Sequence, residues 1–250
     1  MFELASGGLG ILISIIENTL SKRKKATKVI LITIAVLVVA EFTALSWLYI
    51  SVGKHKDYWA NRANEKGDIT YLALGDSTAQ AIGASSPARG YVGIIAKRLE
   101  QKTGKTVRVV NISVTGATME DYLKTQAPQV KDIKADYVTI EIGANDVRSF
   151  EPQKFKDKFA QVLETLPDGT FVSNMPLFNS RPSSTNNGKL ASVIVEQELQ
   201  SYPNLRFVDL GKETTEKQTI FGFAPDLFHP NNISYKHWAD AFWKEIDIND

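Results

Sequence analysis

The sequence contains no cysteine, only three histidines and almost no net charge. Without cysteine the chain can form no disulfide bond, no thiolate zinc site and no cysteine nucleophile, and it is compatible with either side of a membrane. The histidines are scattered and do not form an HxxxH-type ligand set, so we expect no bound metal. No phosphate-binding or dinucleotide-binding glycine pattern is present, and we expect no other cofactor.

The charged side chains nearly balance, with 29 Lys and Arg against 28 Asp and Glu. The molecule as a whole therefore produces no long-range field that would attract nucleic acid, and we expect no nucleic-acid partner. Any chemistry has to come from oxygen and nitrogen groups.

One long hydrophobic run is present near the N-terminus, at residues 29–50. A helix of this length spans a hydrocarbon core of about 30 Å; Glu41, near its middle, is costly there unless it is protonated or paired. Lys and Arg cluster at 22–28, against two lysines at 54–56, which predicts a cytoplasmic N-terminal segment of residues 1–28 and a single-pass anchor in the cell membrane. A cleaved signal peptide is the competing interpretation, but the run is long for one and no small-x-small site closes it.

Residues 51–68 are polar and charged, and we expect a juxtamembrane stalk that leads to an extracytoplasmic domain of residues 69–250. Tyr58 and Trp59 fall where amphipathic aromatic side chains often lie at a membrane surface. The stalk also contains His55.

The outer domain alternates short apolar runs with segments of helical periodicity. The predicted strands are Ile69–Leu74, Val107–Ile112, Tyr137–Ile142, Thr170–Ser173 and Leu205–Val208. The predicted helices are Tyr91–Lys102, Met119–Val130, Pro152–Leu166, Lys189–Gln200 and Ile233–Ile246. Apolar strands separated by helices indicate an α/β fold, a three-layer α/β/α arrangement with a five-stranded parallel sheet. Ligands of such sheets bind beyond the carboxyl ends of the strands.

Four polar segments follow the predicted strand ends or lie near the C-terminus. They are Gly75-Asp76-Ser77-Thr78-Ala79, Ser113-Val114-Thr115-Gly116-Ala117, Gly143-Ala144-Asn145-Asp146-Val147 and Asp226-Leu227-Phe228-His229. In this order they resemble the motifs of the SGNH (GDSL-like) hydrolase family, and the resemblance covers about residues 69–246. It implies a flavodoxin-like fold, ester hydrolysis and Ser77 as nucleophile.

The resemblance also implies an oxyanion hole. Its donors would be the backbone N–H of Ser77, the backbone N–H of Gly116 and the side-chain amide of Asn145. Asn111 occupies a position where the family often has an asparagine, and we interpret it as a residue that braces the loop. Asp76 and Asp146, beside the motif residues, are interpreted as structural support.

A serine hydroxyl needs a base to take its proton, and the base needs a carboxylate that fixes its tautomer. His55 belongs to the predicted stalk, and His237 lies within the last amphipathic helix, where an ordinary surface role is expected. His229 remains as the base. Asp226, three residues earlier, can fold back to the Nδ1 atom of the same ring if the loop forms a turn.

Three alternatives compete with an esterase of this type. A G-x-S-x-G nucleophile elbow is absent, which disfavours an ordinary α/β-hydrolase. An acyltransferase would use the same triad, and a non-catalytic domain that binds glycans at the cell surface would not need all three residues. Lipid esters or acylated glycans are the expected substrates, and the polar segment 178–188, interpreted as a loop, either borders the substrate pocket or is simple surface.

Overall fold

The computed structural model describes residues 3–177 and 182–249. These residues fall into two compact units, one ending at Trp47 and the other beginning at Leu48. Helix α1, Glu3–Ala63, contributes to both units. Within the first unit, nearly all apolar side chains between Val29 and Trp47 are exposed. The stretch Lys22–Ala63 of this helix is long and apolar enough to cross a membrane, with a mean hydropathy of 2.5 in its most apolar window.

The final part of α1, from Leu48 onward, belongs to the second unit and buries one face there. Leu48, Ser51, His55 and Trp59 recur every three or four residues on that face, and Trp59 is only 2% exposed. The Nδ1 atom of His55 and the Nε1 atom of Trp59 both lie within hydrogen-bond distance of one backbone carbonyl, 3.0 and 3.2 Å away. We expected a juxtamembrane stalk here; the segment is helical and packs one face against the domain, where Leu48 and Trp59 join hydrophobic clusters and the buried His55 ring finds a backbone partner.

The second unit contains one sheet of five parallel strands, which are β1 Ile69–Gly75, β2 Val107–Asn111, β3 Tyr137–Glu141, β4 Phe171–Ser173 and β5 Arg206–Val208. Their order in the sheet is β2-β1-β3-β4-β5. Successive side chains of a strand point to opposite faces. Along β1, accordingly, Leu72 and Leu74 join one hydrophobic cluster, and Tyr71 and Ala73 join the other.

Helices cover both faces of the sheet and complete the three layers. One face packs against α2 Tyr91–Thr103 and α8 Asn232–Asn249, together with Trp59 of α1. The other packs against α3 Met119–Thr125, α4 Ala127–Val130, α5 Pro152–Leu163 and α6 Pro182–Leu199. A further helix, α7 Leu210–Lys217, contacts α8, and short 3₁₀ turns occupy Pro87–Arg89, Asp146–Ser149 and Ile220–Gly222.

The three-layer fold with five parallel strands is confirmed, with three differences in the helices. The predicted helix Met119–Val130 is interrupted at Gln126, whose side chain bonds both the N–H and the carbonyl of Gly75. Helix α7 was not predicted. Residues 182–188, expected to be part of a loop, are the first two turns of α6, and residues 178–181 lie outside the described residues.

Candidate active site

Ser77, His229 and Asp226 lie together at the carboxyl end of β1. The Oγ atom of Ser77 is 3.0 Å from Nε2 of His229, and Nδ1 of the same ring is 2.5 Å from Oδ2 of Asp226. Ser77 is 3% exposed, and His229 and Asp226 are partly buried. The three residues proposed from the sequence therefore form one continuous hydrogen-bonded series, although 152 positions separate the serine from the histidine.

A tight turn presents Asp226 and His229 to the serine. The second carboxylate oxygen of Asp226, Oδ1, accepts the backbone N–H groups of Phe228 and His229, 3.0 and 3.1 Å away. Leu227, which directly follows Asp226, has a φ of 52°, an uncommon value for a residue with a side chain. Burial opposes ionisation of Asp226, but the hydrogen bond and the charge of His229, with the two N–H groups, hold its pKa below the ordinary value. An ionised Asp226 keeps the proton of the neutral imidazole on Nδ1, which leaves Nε2 free to accept the serine proton.

The three expected oxyanion donors differ in whether they already donate a hydrogen bond. Within the described part of the chain, the backbone N–H groups of Ser77 and Gly116 donate to no other backbone or side-chain group. Gly116 has a φ of 80°, which favours glycine. Asn145 already uses its amide: Nδ2 donates to Oδ2 of Asp76 at 3.0 Å and to the carbonyl of Ala117 at 2.9 Å. It can donate to an oxyanion only by exchanging one of these bonds.

Asp76 is the centre of a buried network that the sequence did not reveal. Its Oδ1 accepts the backbone N–H of Thr78 at 2.9 Å, and the Thr78 hydroxyl lies 2.9 Å from the same atom. That hydroxyl is also 2.6 Å from Oε2 of Glu141, the last residue of β3. Burial, reinforced by repulsion from Asp76, raises the pKa of Glu141 well above its usual range. Burial also raises the pKa of Asp76, while the Thr78 donors oppose the shift.

The glycine before Asp76 permits the close approach of the two strand ends. Gly75 has a φ of 132°, and a Cβ atom there would lie 2.1 Å from the carbonyl oxygen of Glu141. Any side chain at residue 75 would therefore push β1 away from β3. Because Glu141 pairs with Gly75 in the sheet register, this contact sets the distance from the nucleophile loop to Glu141.

Loop contacts hold the segment that contains Gly116. Asn111 donates through Nδ2 to the carbonyl of Ala79 at 2.8 Å and accepts the N–H of Ser113 at 3.1 Å, which agrees with its expected bracing role. Gln80 was not expected: its Nε2 donates to the carbonyl of Ser113 at 2.7 Å, and its Oε1 accepts from the Thr115 hydroxyl. The backbone carbonyl of Gln80 is the one that His55 and Trp59 contact.

Asp146 and His237 take no part in the triad. Oδ2 of Asp146 accepts the N–H of Met119 at the start of α3, 3.1 Å away, and burial raises the pKa of Asp146 to about 6. His237 and Asp240 of α8 lie near Glu213 of α7, and these three are the one cluster of the described residues whose atoms could approach a metal ion together. Both carboxylates are already neutralised by cations, since Glu213 binds Lys217 and Lys244 at 2.5 Å and Asp240 pairs with Lys236 and Arg98.

A narrow, largely apolar cleft opens at Ser77. Its walls include Pro176, Leu177, Phe223 and Phe228. Around the catalytic turn the surface is also apolar: Ile220, Phe221 and Leu227 are exposed, Phe221 to 80%. Such a cleft binds a ligand mainly through its apolar portion.

Comparisons with known proteins identify the family of the chain. Residues 73–237 match the model of the GDSL-like lipase/acylhydrolase family. Over 96 residues, or 38% of this chain, the sequence is 32% identical to esterase TesA of Pseudomonas aeruginosa and 30% identical to thioesterase 1/protease 1/lysophospholipase L1 of Escherichia coli. These alignments cover 47% and 44% of the two proteins, so the chain spans about half the length of the curated relatives it matches.

Solved structures give the same picture. A variant of Axe2, an acetyl xylan esterase from Geobacillus stearothermophilus, is 25% identical with a TM-score of 0.59, and the match covers 72% of this chain and 94% of that one. A lipase/acylhydrolase from Enterococcus faecalis is 22% identical with a TM-score of 0.61, over 72% and 96% of the two chains, which shows the shared fold. The resemblance noted from the four motifs is thus confirmed, and the chain belongs to the GDSL-like lipase/acylhydrolase family.

Proposed function

We propose that this protein is a membrane-anchored serine esterase in which Ser77 is the nucleophile, His229 the general base and Asp226 the orienting carboxylate. The observation that carries the proposal is the unbroken series Ser77 Oγ, His229 Nε2, His229 Nδ1 and Asp226 Oδ2, with contacts of 3.0 and 2.5 Å. The series faces an apolar cleft at the carboxyl end of the sheet, where parallel α/β folds bind ligands.

The reaction follows from the atoms in contact. As the Ser77 Oγ atom attacks the ester carbonyl carbon, its proton passes to Nε2 of His229, and Asp226 stabilises the imidazolium that forms. His229 then returns that proton to the departing alkoxide, which leaves as the alcohol and leaves an acyl group on Ser77. A water molecule, deprotonated by His229, attacks the acyl carbon; the acid departs and Ser77 regains its proton.

The negative charge on the attacked oxygen needs donors at the same moment. The free N–H groups of Ser77 and Gly116 are suited to this, and Asn145 becomes a third donor if the oxyanion replaces the Ala117 carbonyl as acceptor. The other amide hydrogen of Asn145 can stay on Asp76 throughout, so the side chain need not rotate away.

The apolar surroundings of the serine favour a lipid ester as substrate. Ile220, Phe221 and Leu227 expose apolar surface beside the catalytic turn, and the cleft walls are apolar as well. An acylated glycan is the second candidate, favoured by the likeness to an acetyl xylan esterase. A panel of p-nitrophenyl esters of increasing chain length, a lysophospholipid and an O-acetylated xylooligosaccharide distinguishes the two. Transfer of the acyl group to an added sugar would identify an acyltransferase instead.

Replacement of Ser77 tests the chemistry. Full-length Ser77→Ala in detergent should lose at least about 10³-fold in kcat on p-nitrophenyl butyrate and should no longer react with a fluorophosphonate probe. Ser201→Ala, at an exposed serine, is the matched control and should behave as the parent. Parent-level activity in Ser77→Ala, with its fold intact by circular dichroism, would eliminate Ser77 as the nucleophile.

The membrane anchor is part of the proposal and has its own test. The exposed apolar surface between Val29 and Trp47 and the basic residues before it support an anchor with the catalytic domain outside the cytoplasm. Because the chain has no cysteine, single-cysteine variants can be labelled at one site each. On intact cells a membrane-impermeant maleimide should label Lys131→Cys and not Lys24→Cys. The reverse pattern would overturn the orientation, and release of the protein by alkaline carbonate would overturn the anchor.

A further inference from the structure

The hydroxyl group of Thr78 lies between two buried carboxylates. Its oxygen is 2.9 Å from Oδ1 of Asp76 and 2.6 Å from Oε2 of Glu141, and both acids are almost completely buried. A hydroxyl has a single proton and can donate it to only one of them. The second short contact requires a proton on the carboxyl group itself, so one of the two acids is neutral.

The surroundings of the two acids decide which one holds the proton. Asp76 accepts hydrogen bonds from the N–H of Thr78 and the amide of Asn145, and it shares the Thr78 hydroxyl with Glu141. Within the described ranges, Glu141 has only the Thr78 hydroxyl at Oε2, and its other oxygen, Oε1, is buried with no hydrogen-bond partner. No lysine or arginine of the described residues pairs with Glu141. An anion at Glu141 would therefore be nearly uncompensated, whereas an anion at Asp76 is well supported.

We infer that Glu141 is a neutral carboxylic acid that donates to Thr78 and so directs the only hydroxyl proton of Thr78 to Asp76, which fixes the Asp76 carboxylate as the support of Asn145. Glu141 and Thr78 are then positioning residues for the oxyanion site. This role rests on the proposed function, because it assigns Asn145 to the oxyanion. Glu141 thus donates to the Thr78 hydroxyl, and that hydroxyl donates to Oδ1 of Asp76. Asn145 donates to the other oxygen of the same carboxylate, Oδ2.

The groups that face Glu141 are consistent with a neutral acid. Asp76 repels a negative charge there, and it comes from the loop after β1. Tyr91 of α2 and Tyr235 of α8 also interact with Glu141, and burial raises the pKa of both phenols well above the usual value, so both stay neutral. Among the described residues, the charged neighbour of Glu141 in the neutral range is thus the Asp76 carboxylate.

Thermal unfolding of the full-length chain in detergent tests the protonation state. The unfolded chain loses the Glu141 proton above about pH 4.3, but the native state retains it, so the contribution of Glu141 to the stability of the parent falls as the pH rises. Glu141→Gln keeps the shape and the donor without a proton to lose. The Tm of Glu141→Gln minus that of the parent should grow by roughly 3–5 °C per pH unit from pH 5 until the pKa of the buried acid is reached.

Glu120→Gln is the matched control. Glu120 is a half-exposed carboxylate bound to Lys124 and Lys158, which hold its pKa below the usual value, so its Tm difference from the parent should stay constant from pH 5 to pH 9. A constant deficit in Glu141→Gln over the same range would mean that Glu141 is ionised and would overturn the inference. Infrared spectra with ¹³C-labelled glutamate should show a protonated carboxyl band that is lost in Glu141→Gln; a band that shifts with labelled aspartate instead would place the proton on Asp76.

Kinetics test the positioning role. Glu141→Ala should lower kcat on p-nitrophenyl butyrate by about 10- to 100-fold with KM unchanged, since a misplaced oxyanion donor affects the transition state, and Glu141→Gln should restore kcat to within about threefold of the parent. Equal kcat in the parent and in both variants would show that Glu141 positions nothing. The thermal and infrared measurements do not depend on catalysis. An inactive parent would therefore overturn the proposed function while leaving the proton on Glu141 to be decided separately.

Discussion

The acidic side chains of Asp226, which is partly buried, and of Glu141, which is fully buried, both lie near the serine loop, yet their surroundings favour opposite protonation states. Asp226, in the turn before His229, receives two backbone N–H groups and the imidazole, and its pKa is lowered. Glu141, at the end of β3, meets one hydroxyl and a neighbouring acid, and its pKa is raised. Burial favours the neutral form of both acids, but the number and charge of the hydrogen-bond donors around each one determine whether its pKa ends above or below the ordinary value.

The largest effect should come from removing the charge at Asp226. An amide in Asp226→Asn cannot stabilise the imidazolium and favours the wrong tautomer of His229, so we expect kcat to fall by about 10³- to 10⁴-fold. Steady-state hydrolysis of p-nitrophenyl butyrate measures the change, with the exposed Asp132→Asn as control. A loss below tenfold would remove the contrast between the two carboxylates.

A smaller loss is expected at Asp76. In Asp76→Asn the amide presents one acceptor and one donor group, whereas the structure requires acceptors toward both Thr78 and Asn145. One contact becomes unfavourable, and we expect kcat/KM to fall by about 10- to 100-fold. Comparing Asp76→Asn, Asn145→Ala and the double variant checks this, because two residues that act on one oxyanion should give non-additive losses. Simple additivity would argue that they act separately.

The smallest effect is a stability change in acid. The pKa of Asp226 is lower in the folded chain than in the unfolded one, so its ionised form stabilises the fold above about pH 4 and this stabilisation is lost as the pH falls through the folded pKa. The Tm advantage of the parent over Asp226→Asn should therefore shrink by a few degrees at most below pH 4. Glu141→Gln changes with pH in the opposite sense and over a higher range. A Tm difference between the parent and Asp226→Asn that does not change below pH 4 would contradict the lowered pKa of Asp226.

Sequence motifs identified the part of the site that depends on local order. Asp226 and His229 are three residues apart, and the turn between them needs only its own backbone. Ser77, Gly116 and Asn145 each follow a predicted strand, so the parallel sheet itself collects them at one edge. The strands were predicted well because their side chains are apolar almost throughout.

The supporting residues were missed because their partners are distant in sequence and their side chains have no distinctive pattern. Thr78 and Glu141 are 63 positions apart, and nothing in the sequence marks a strand-end glutamate as a neutral acid. Helix α7 escaped notice because only Leu210, Glu213 and Thr214 are buried in a segment rich in charged residues. The packed end of α1 was interpreted as a stalk because residues 54–68 are polar and charged, and the positions that it buries include the polar Ser51 and His55.

The contact of α1 with Gln80 has a practical consequence for protein engineering. His55 and Trp59 hold the Gln80 backbone, and the Gln80 side chain in turn holds the loop that leads to Gly116. A fusion protein that begins at residue 69 would discard this support together with the anchor. A substitute anchor or a purification tag has to be joined ahead of Leu48, because the last four turns of the helix pack against the catalytic domain and belong to it.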